Sequence, residues 1–149
     1  MTAAPTTLVS EDSMLNMGRA VLAAQAFSVL IGAELVSFGK GTVELQVPVT
    51  DKIRQQHGFV HGGVVSYAAD NALTYAGGSV LLAPVVTSEF KINYVRPAVG
   101  DLLIARAKAV HVGKTQAVCT CEVFVRADGV EKLCAIAQGT IAMLPAPRQ

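Results

Sequence analysis

Two histidines, a cluster of glycines and one carboxylate fall within a single short stretch of this chain. Gln55-Gln56-His57-Gly58-Phe59-Val60-His61-Gly62-Gly63 leads into a run of small and apolar residues, Val64 to Gly78, in which Asp70 is the only charged side chain. The run reads as a helix, and a carboxylate on an apolar helix is uncommon unless it is paired or used. Backbone amides at Gly62 and Gly63 are expected to sit free at the helix start, where unpaired N–H groups and the helix dipole favour negative charge. A loop offering oxyanion donors and a helix offering an acid or base point to acyl transfer to water.

The flanking sequence supplies the elements that must hold these residues. After a loose leader over 1–9, Ser10 as cap, Glu11 and Asp12 in a first turn, and Met14, Met17, Val21 and Ala24 at helical spacing predict a helix over 10–27. Val29–Phe38 and Thr42–Val47 read as strands around the hairpin signal Gly39-Lys40-Gly41, and Thr50 to Arg54 as a helical turn. Beyond Pro84, four strands follow at Thr87–Arg96, Leu102–Val110, Thr115–Arg126 and Lys132–Leu144, with a tail over 145–149. In the first of these, Phe90, Ile92 and Tyr94 alternate with Glu89, Lys91 and Asn93, and the same parity puts Ser88 on the helix-facing side. The order predicts one α+β domain over 1–149, an antiparallel sheet curled around a long central helix.

Composition narrows the partners. A net charge of +1 over 149 residues gives no reason to expect nucleic acid or an anionic membrane surface. Charged residues make up 15%, below the usual proportion of about a quarter, and 52% are apolar. A small domain with so little charge is expected to hide surface in an oligomer. No apolar run has the length of a membrane span and no signal-peptide layout is visible, so a cytoplasmic protein is expected. Cys119, Cys121 and Cys134 read as buried thiols, and without further ligands at suitable spacing neither a metal nor another cofactor is expected.

His61-Gly62-Gly63 followed by Asp70, inside this order of helix and strands, resembles the hotdog-fold acyl-CoA thioesterases of the phenylacetate-degradation (PaaI-like) type. The likeness spans roughly Phe27 to Leu144 and is specific from Gln55 to Asp70. It implies that the Gly62 amide binds the thioester oxygen and that Asp70 is base or nucleophile. It further implies that Gln55 holds water or substrate, and that Ser88, on the following strand, assists the acid. His61 reads as a loop-fixing residue beside the oxyanion donor. By the same likeness Arg96 and Lys114 are candidates for the coenzyme A phosphates, and the acyl pocket would be lined by Gly63, Val64, Tyr67, Leu73 and Phe90.

Helix geometry adds a constraint of its own. From His61 to Asp70 a helix advances about 13.5 Å and turns roughly two and a half times, so the two lie on opposite faces. One chain does not readily bring Gly62 and its own Asp70 to one carbonyl, whereas a two-fold dimer with two shared sites does. The family resemblance implies such dimers, paired again into tetramers. Two other readings share the scaffold: a hydroxyacyl-thioester hydratase or dehydratase, and a non-catalytic acyl-CoA-binding protein. The first would need a catalytic histidine paired with the acid, and the second would have no use for Asp70.

Overall fold

A computed structural model describes residues 10–146, so the expected leader over 1–9 and the end of the tail, 147–149, lie outside the described residues. The elements are α1 (Glu11–Ala23), α2 (Ala26–Ile31), β1 (Glu34–Gly39), β2 (Thr42–Pro48), a 3₁₀ turn (Asp51–Ile53), α3 (Gly62–Leu81), β3 (Val85–Tyr94), β4 (Leu102–Val112), β5 (Gln116–Ala127) and β6 (Val130–Met143). The strands form one antiparallel sheet in the order β1-β2-β4-β5-β6-β3. All six strands touch α3, which requires the sheet to curve around that helix. The expected hotdog arrangement is the one observed.

Close approach between helix and sheet follows from residue size. Ala68, Ala69, Ala72 and Ala76 are fully buried against the strands. At Gly77 a Cβ would stand 2.5 Å from Cβ of Ile141 on β6, so only glycine permits the approach there. The opposite stripe of α3 is half-buried and polar, carrying Ser66, Tyr67, Asp70, Asn71 and Thr74 at helical spacing.

Near the N-terminus the expectation of one helix over 10–27 followed by a strand from Val29 is corrected. Ser10 does cap α1, its Oγ accepting from the Ser13 N–H at 3.2 Å. The helix then stops at Ala23, and α2 carries the chain on to Gly32, whose φ of +71° ends it in the left-handed conformation. Ser28 and Ile31, one turn apart, face the core, while Val29 and Leu30 stay exposed. Burial on a helical period overrides the β-branched, strand-like composition of this segment.

A second correction concerns β3. Thr87 pairs with Ile141, but Glu89 pairs with Thr140, leaving Ser88 as the extra residue of a β-bulge. The bulge breaks the period of two. Val85 and Thr87 face the helix before it, Phe90 and Ile92 after it, and Ser88 is exposed. An unbroken alternation along the strand would put Ser88 on the inner face.

The three cysteines are free and buried. Burial pushes their thiols up, Cys119 and Cys134 to about 11 and Cys121 to about 12, so none is a nucleophile at neutral pH. Among the described residues no helix is long and apolar enough to cross a membrane.

Replacing Gly77 by alanine tests the packing account. Better helix propensity favours alanine by about 1 kcal/mol, but overpacking against Ile141 costs about 1–3 kcal/mol. The expected outcome is a net loss of stability, read as a lower urea midpoint, with no change in helix content by circular dichroism.

Candidate active site

The start of α3 is built by its own loop. His61 is the N-cap, and its Nδ1 accepts a hydrogen bond from the Gly63 N–H at 2.9 Å. Its backbone N–H donates to the Ile53 carbonyl at 2.8 Å, and its own carbonyl accepts from Val64 N (2.9 Å) and Val65 N (3.3 Å). The Gly62 N–H has no partner among the described residues. The expectation of two free amides is therefore corrected to one: Gly63 is occupied by the histidine ring, and Gly62 is left over. Because Nδ1 accepts, the proton of neutral His61 resides on Nε2.

The preceding loop is equally committed. Arg54 Nη1 donates to the Gly58 carbonyl at 2.8 Å, the Gln55 N–H donates to Phe59 O at 2.9 Å, and Gln55 Oε1 accepts a short bond from the His57 N–H. The Gln55 carboxamide oxygen thus holds the loop, and only its amino end is left to serve a ligand. Gln55, Gly62, Tyr94 and Arg96 share a cleft of about 330 Å³ whose walls include Phe59, Val65 and Pro97.

Asp70 lies eight residues farther along α3, about 12 Å by helix rise. Its Oδ1 accepts from Thr87 Oγ1 at 2.5 Å. Thr74 Oγ1 stands 3.0 Å from Thr87 Oγ1 and 2.9 Å from the Asp70 carbonyl oxygen. Since the single Thr87 proton goes to the carboxylate, Thr74 is the donor in whichever of these two contacts it makes. The hydroxyl that reaches the Asp70 carboxylate within the chain is that of Thr87, and Ser88 makes no hydrogen bond to Asp70. The bulge that shifts one for the other leaves no signature in the residue types.

One turn from Asp70 a closed ring of hydrogen bonds joins α2 to α3. Ser28 Oγ donates to Gln25 Oε1 at 2.7 Å, and Asn71 Nδ2 donates to Gln25 Oε1 at 3.1 Å and to Tyr67 OH at 2.9 Å. The Ser28 proton being used, Tyr67 OH donates to Ser28 Oγ at 2.5 Å. The Tyr67 hydroxyl therefore has no proton to give a substrate, while its half-buried ring stacks edge-on with Phe27 at 5.1 Å. Residues 25–28 were not singled out by sequence, because no spacing marks a network that spans two helices.

Other expected binding residues separate. Leu73 is 0% exposed and Val64 is buried in the helix–sheet core, so the expectation that Leu73 lines an open pocket is corrected. Phe90 is half-buried against that core. Arg96 lies by the Gly62 cleft, its Nη1 donating to Leu133 O at 3.2 Å. The Arg96 N–H reaches Cys134 O, while the hairpin of Lys114 meets β6 at Met143, whose N–H donates to Thr115 O. Met143 lies nine positions beyond Cys134 along β6, roughly 30 Å, so one chain does not bring Arg96 and Lys114 together. No group of three or more metal-ligating side chains occurs among the described residues.

Comparison with known proteins gives consistent matches. A family model described as the thioesterase superfamily matches residues 57–132. A 1,4-dihydroxy-2-naphthoyl-CoA hydrolase of Listeria monocytogenes is 34% identical over 116 residues, which are 76% of this chain and 91% of that protein. The acyl-coenzyme A thioesterase PaaI of Escherichia coli is 34% identical over 94 residues, 62% of this chain and 66% of its own. Among solved structures, a thioesterase family protein from Silicibacter pomeroyi superposes with a TM-score of 0.81 at 36% identity, covering 84% of this chain and 93% of that one.

The cap geometry is open to direct measurement. Nitrogen-15 NMR of His61 is expected to give the Nε2-protonated tautomer in the neutral form. An Nδ1-protonated ring would remove the bond to Gly63 and free that amide.

Proposed function

The chain belongs to the thioesterase superfamily and is a thioester hydrolase; from that premise we propose that its substrates are acyl-coenzyme A thioesters, cleaved to a free acid and coenzyme A. The reading rests above all on one observation: α3 carries an uncommitted amide at Gly62 and, two turns on, a carboxylate held by Thr87. The names of the Listeria and Escherichia coli relatives support the coenzyme A half of the substrate.

In this reaction the thioester oxygen takes the Gly62 N–H, and the α3 dipole adds to the stabilisation of the developing oxyanion. Asp70 either removes a proton from the attacking water or attacks the carbonyl itself to give a mixed anhydride that water then opens. The C–S bond breaks in both routes, and the thiolate leaves and takes a proton from solvent. Thr87 holds Asp70 by one oxygen, leaving Oδ2 for water or the carbonyl. His61 fixes the loop and does not serve as base, because its Nδ1 is occupied by Gly63.

The two halves come from different protomers. β3 is an edge strand, and its unpaired backbone suits antiparallel pairing with a second copy across a two-fold axis. Such a dimer sets the two α3 helices side by side, with Asp70 of one against the Gly62 cleft of the other. It also offers Arg96 from one chain and Lys114 from the other as cations for the coenzyme A phosphates. Pairing of dimers into a tetramer accounts for the low surface charge.

Thiol release from aromatic and aliphatic acyl-CoAs tests the assignment. Asp70→Asn is expected to lower kcat by at least about 10²-fold while binding persists; equal rates in both proteins would remove Asp70 from the reaction. Sharing is tested by mixing Asp70→Asn with a Gly62→Pro protein, which lacks the donor N–H. The hybrid dimer is expected to regain one site, about half the wild-type activity per dimer. Complete inactivity of a verified hybrid would place both groups in one chain.

A further inference from the structure

Two consecutive glycines at a helix start make an oxyanion donor that is hard to aim. Glycine has more backbone freedom to lose than any other residue, and helix ends open most readily. A donor stabilises a transition state in proportion to how well it is already oriented. The helix itself holds one end of the donor peptide, the His61 carbonyl accepting from Val64 N and Val65 N, and contacts from outside the helix add to that hold.

The peptide linking Gly62 to Gly63 is gripped at both ends. Its N–H, on Gly63, goes to His61 Nδ1 at 2.9 Å, and its carbonyl, on Gly62, accepts from the hydroxyl of Tyr94 at 3.1 Å. The Tyr94 ring lies over the same residue: a Cβ on Gly62 would stand 3.7 Å from its Cζ. Burial within one protomer does not explain this tyrosine, which is 54% exposed there at the end of β3, the edge that the proposed dimer would pair. Tyr75 offers the contrast, being buried in the core with its hydroxyl donating to Gly18 O at 2.9 Å.

We propose that Tyr94 is the positioning residue of the oxyanion donor. Its hydroxyl and the His61 ring hold the Gly62–Gly63 peptide plane from opposite edges and, together with the His61 carbonyl bonded to Val64 N and Val65 N on the preceding peptide, restrain Gly62 so that its N–H keeps one direction. This rests on the reading of Gly62 as the donor to the thioester oxygen. Tyr94 contributes no proton to the reaction, because its hydrogen is committed to the Gly62 carbonyl. It acts on the rate of the chemical step and not on the capture of substrate.

Tyr94→Phe keeps the ring and removes the bond. It is expected to lower kcat about tenfold, less than loss of the donor itself, with KM changed less than twofold and an unaltered oligomer. The second measurement is the carbonyl stretch of carbon-13-labelled benzoyl-CoA, with hexanoyl-CoA in parallel, bound to the slow Asp70→Asn protein. The bound thioester band is expected at lower frequency than in water, and adding Tyr94→Phe is expected to move it part of the way back. A band displaced in Asp70→Asn but unmoved by Tyr94→Phe, or an unchanged kcat, overturns the role of Tyr94 while leaving Gly62 in place. A band not displaced in Asp70→Asn removes Gly62 as donor, and this inference with it.

Discussion

A rigid helix holds the two groups that the proposed chemistry needs where they cannot meet. The Gly62 amide and the Asp70 carboxylate ride on α3, separated by a fixed rise of about 12 Å. No side-chain rotation closes that distance, and bending the helix would tear it from a sheet packed against its alanines. The proposed chemistry therefore requires a second α3, and the need for a dimer is a property of helix pitch before it is a property of any interface.

Much of the surrounding structure serves to keep that helix straight and its two ends defined. Alanines and Gly77 let the sheet close on it, Ser79 Oγ takes the Gly41 N–H of the first hairpin, and Tyr75 ties it to α1. At the other end, Arg54 and Gln55 stiffen the loop that delivers His61 to the cap. Tyr67, Asn71 and Thr74 on the half-exposed stripe are likewise held by hydrogen bonds, which leaves the second carboxylate oxygen of Asp70 as the group there still open to a ligand.

The features legible in the sequence are those that one element decides alone. Gly62 and Asp70 stand out because a glycine pair at a helix start and one acid in an apolar run have few other uses, and turn residues mark where most strands begin and end, though not that β3 lies beside β6 and not beside β4. Features decided between elements were not legible. Thr87 replaces Ser88 because a bulge in β3 is set by its pairing with β6. The α2 helix wins over a strand because Ser28 and Ile31 find the core. Leu73 is apolar and near the acid in sequence, yet helix rotation turns it inward. Lys114 and Arg96 are alike in type, and only strand register shows how far apart they lie.

The state of the three cysteines bears on the company this protein keeps. Each turnover of the proposed reaction liberates a thiol, and thiols in a cell are in exchange with their disulfides. Mixed-disulfide formation needs a thiolate within reach of its partner. With Cys119, Cys121 and Cys134 buried and their thiols pushed up by burial, the protein offers that thiol no ready thiolate with which to form a mixed disulfide.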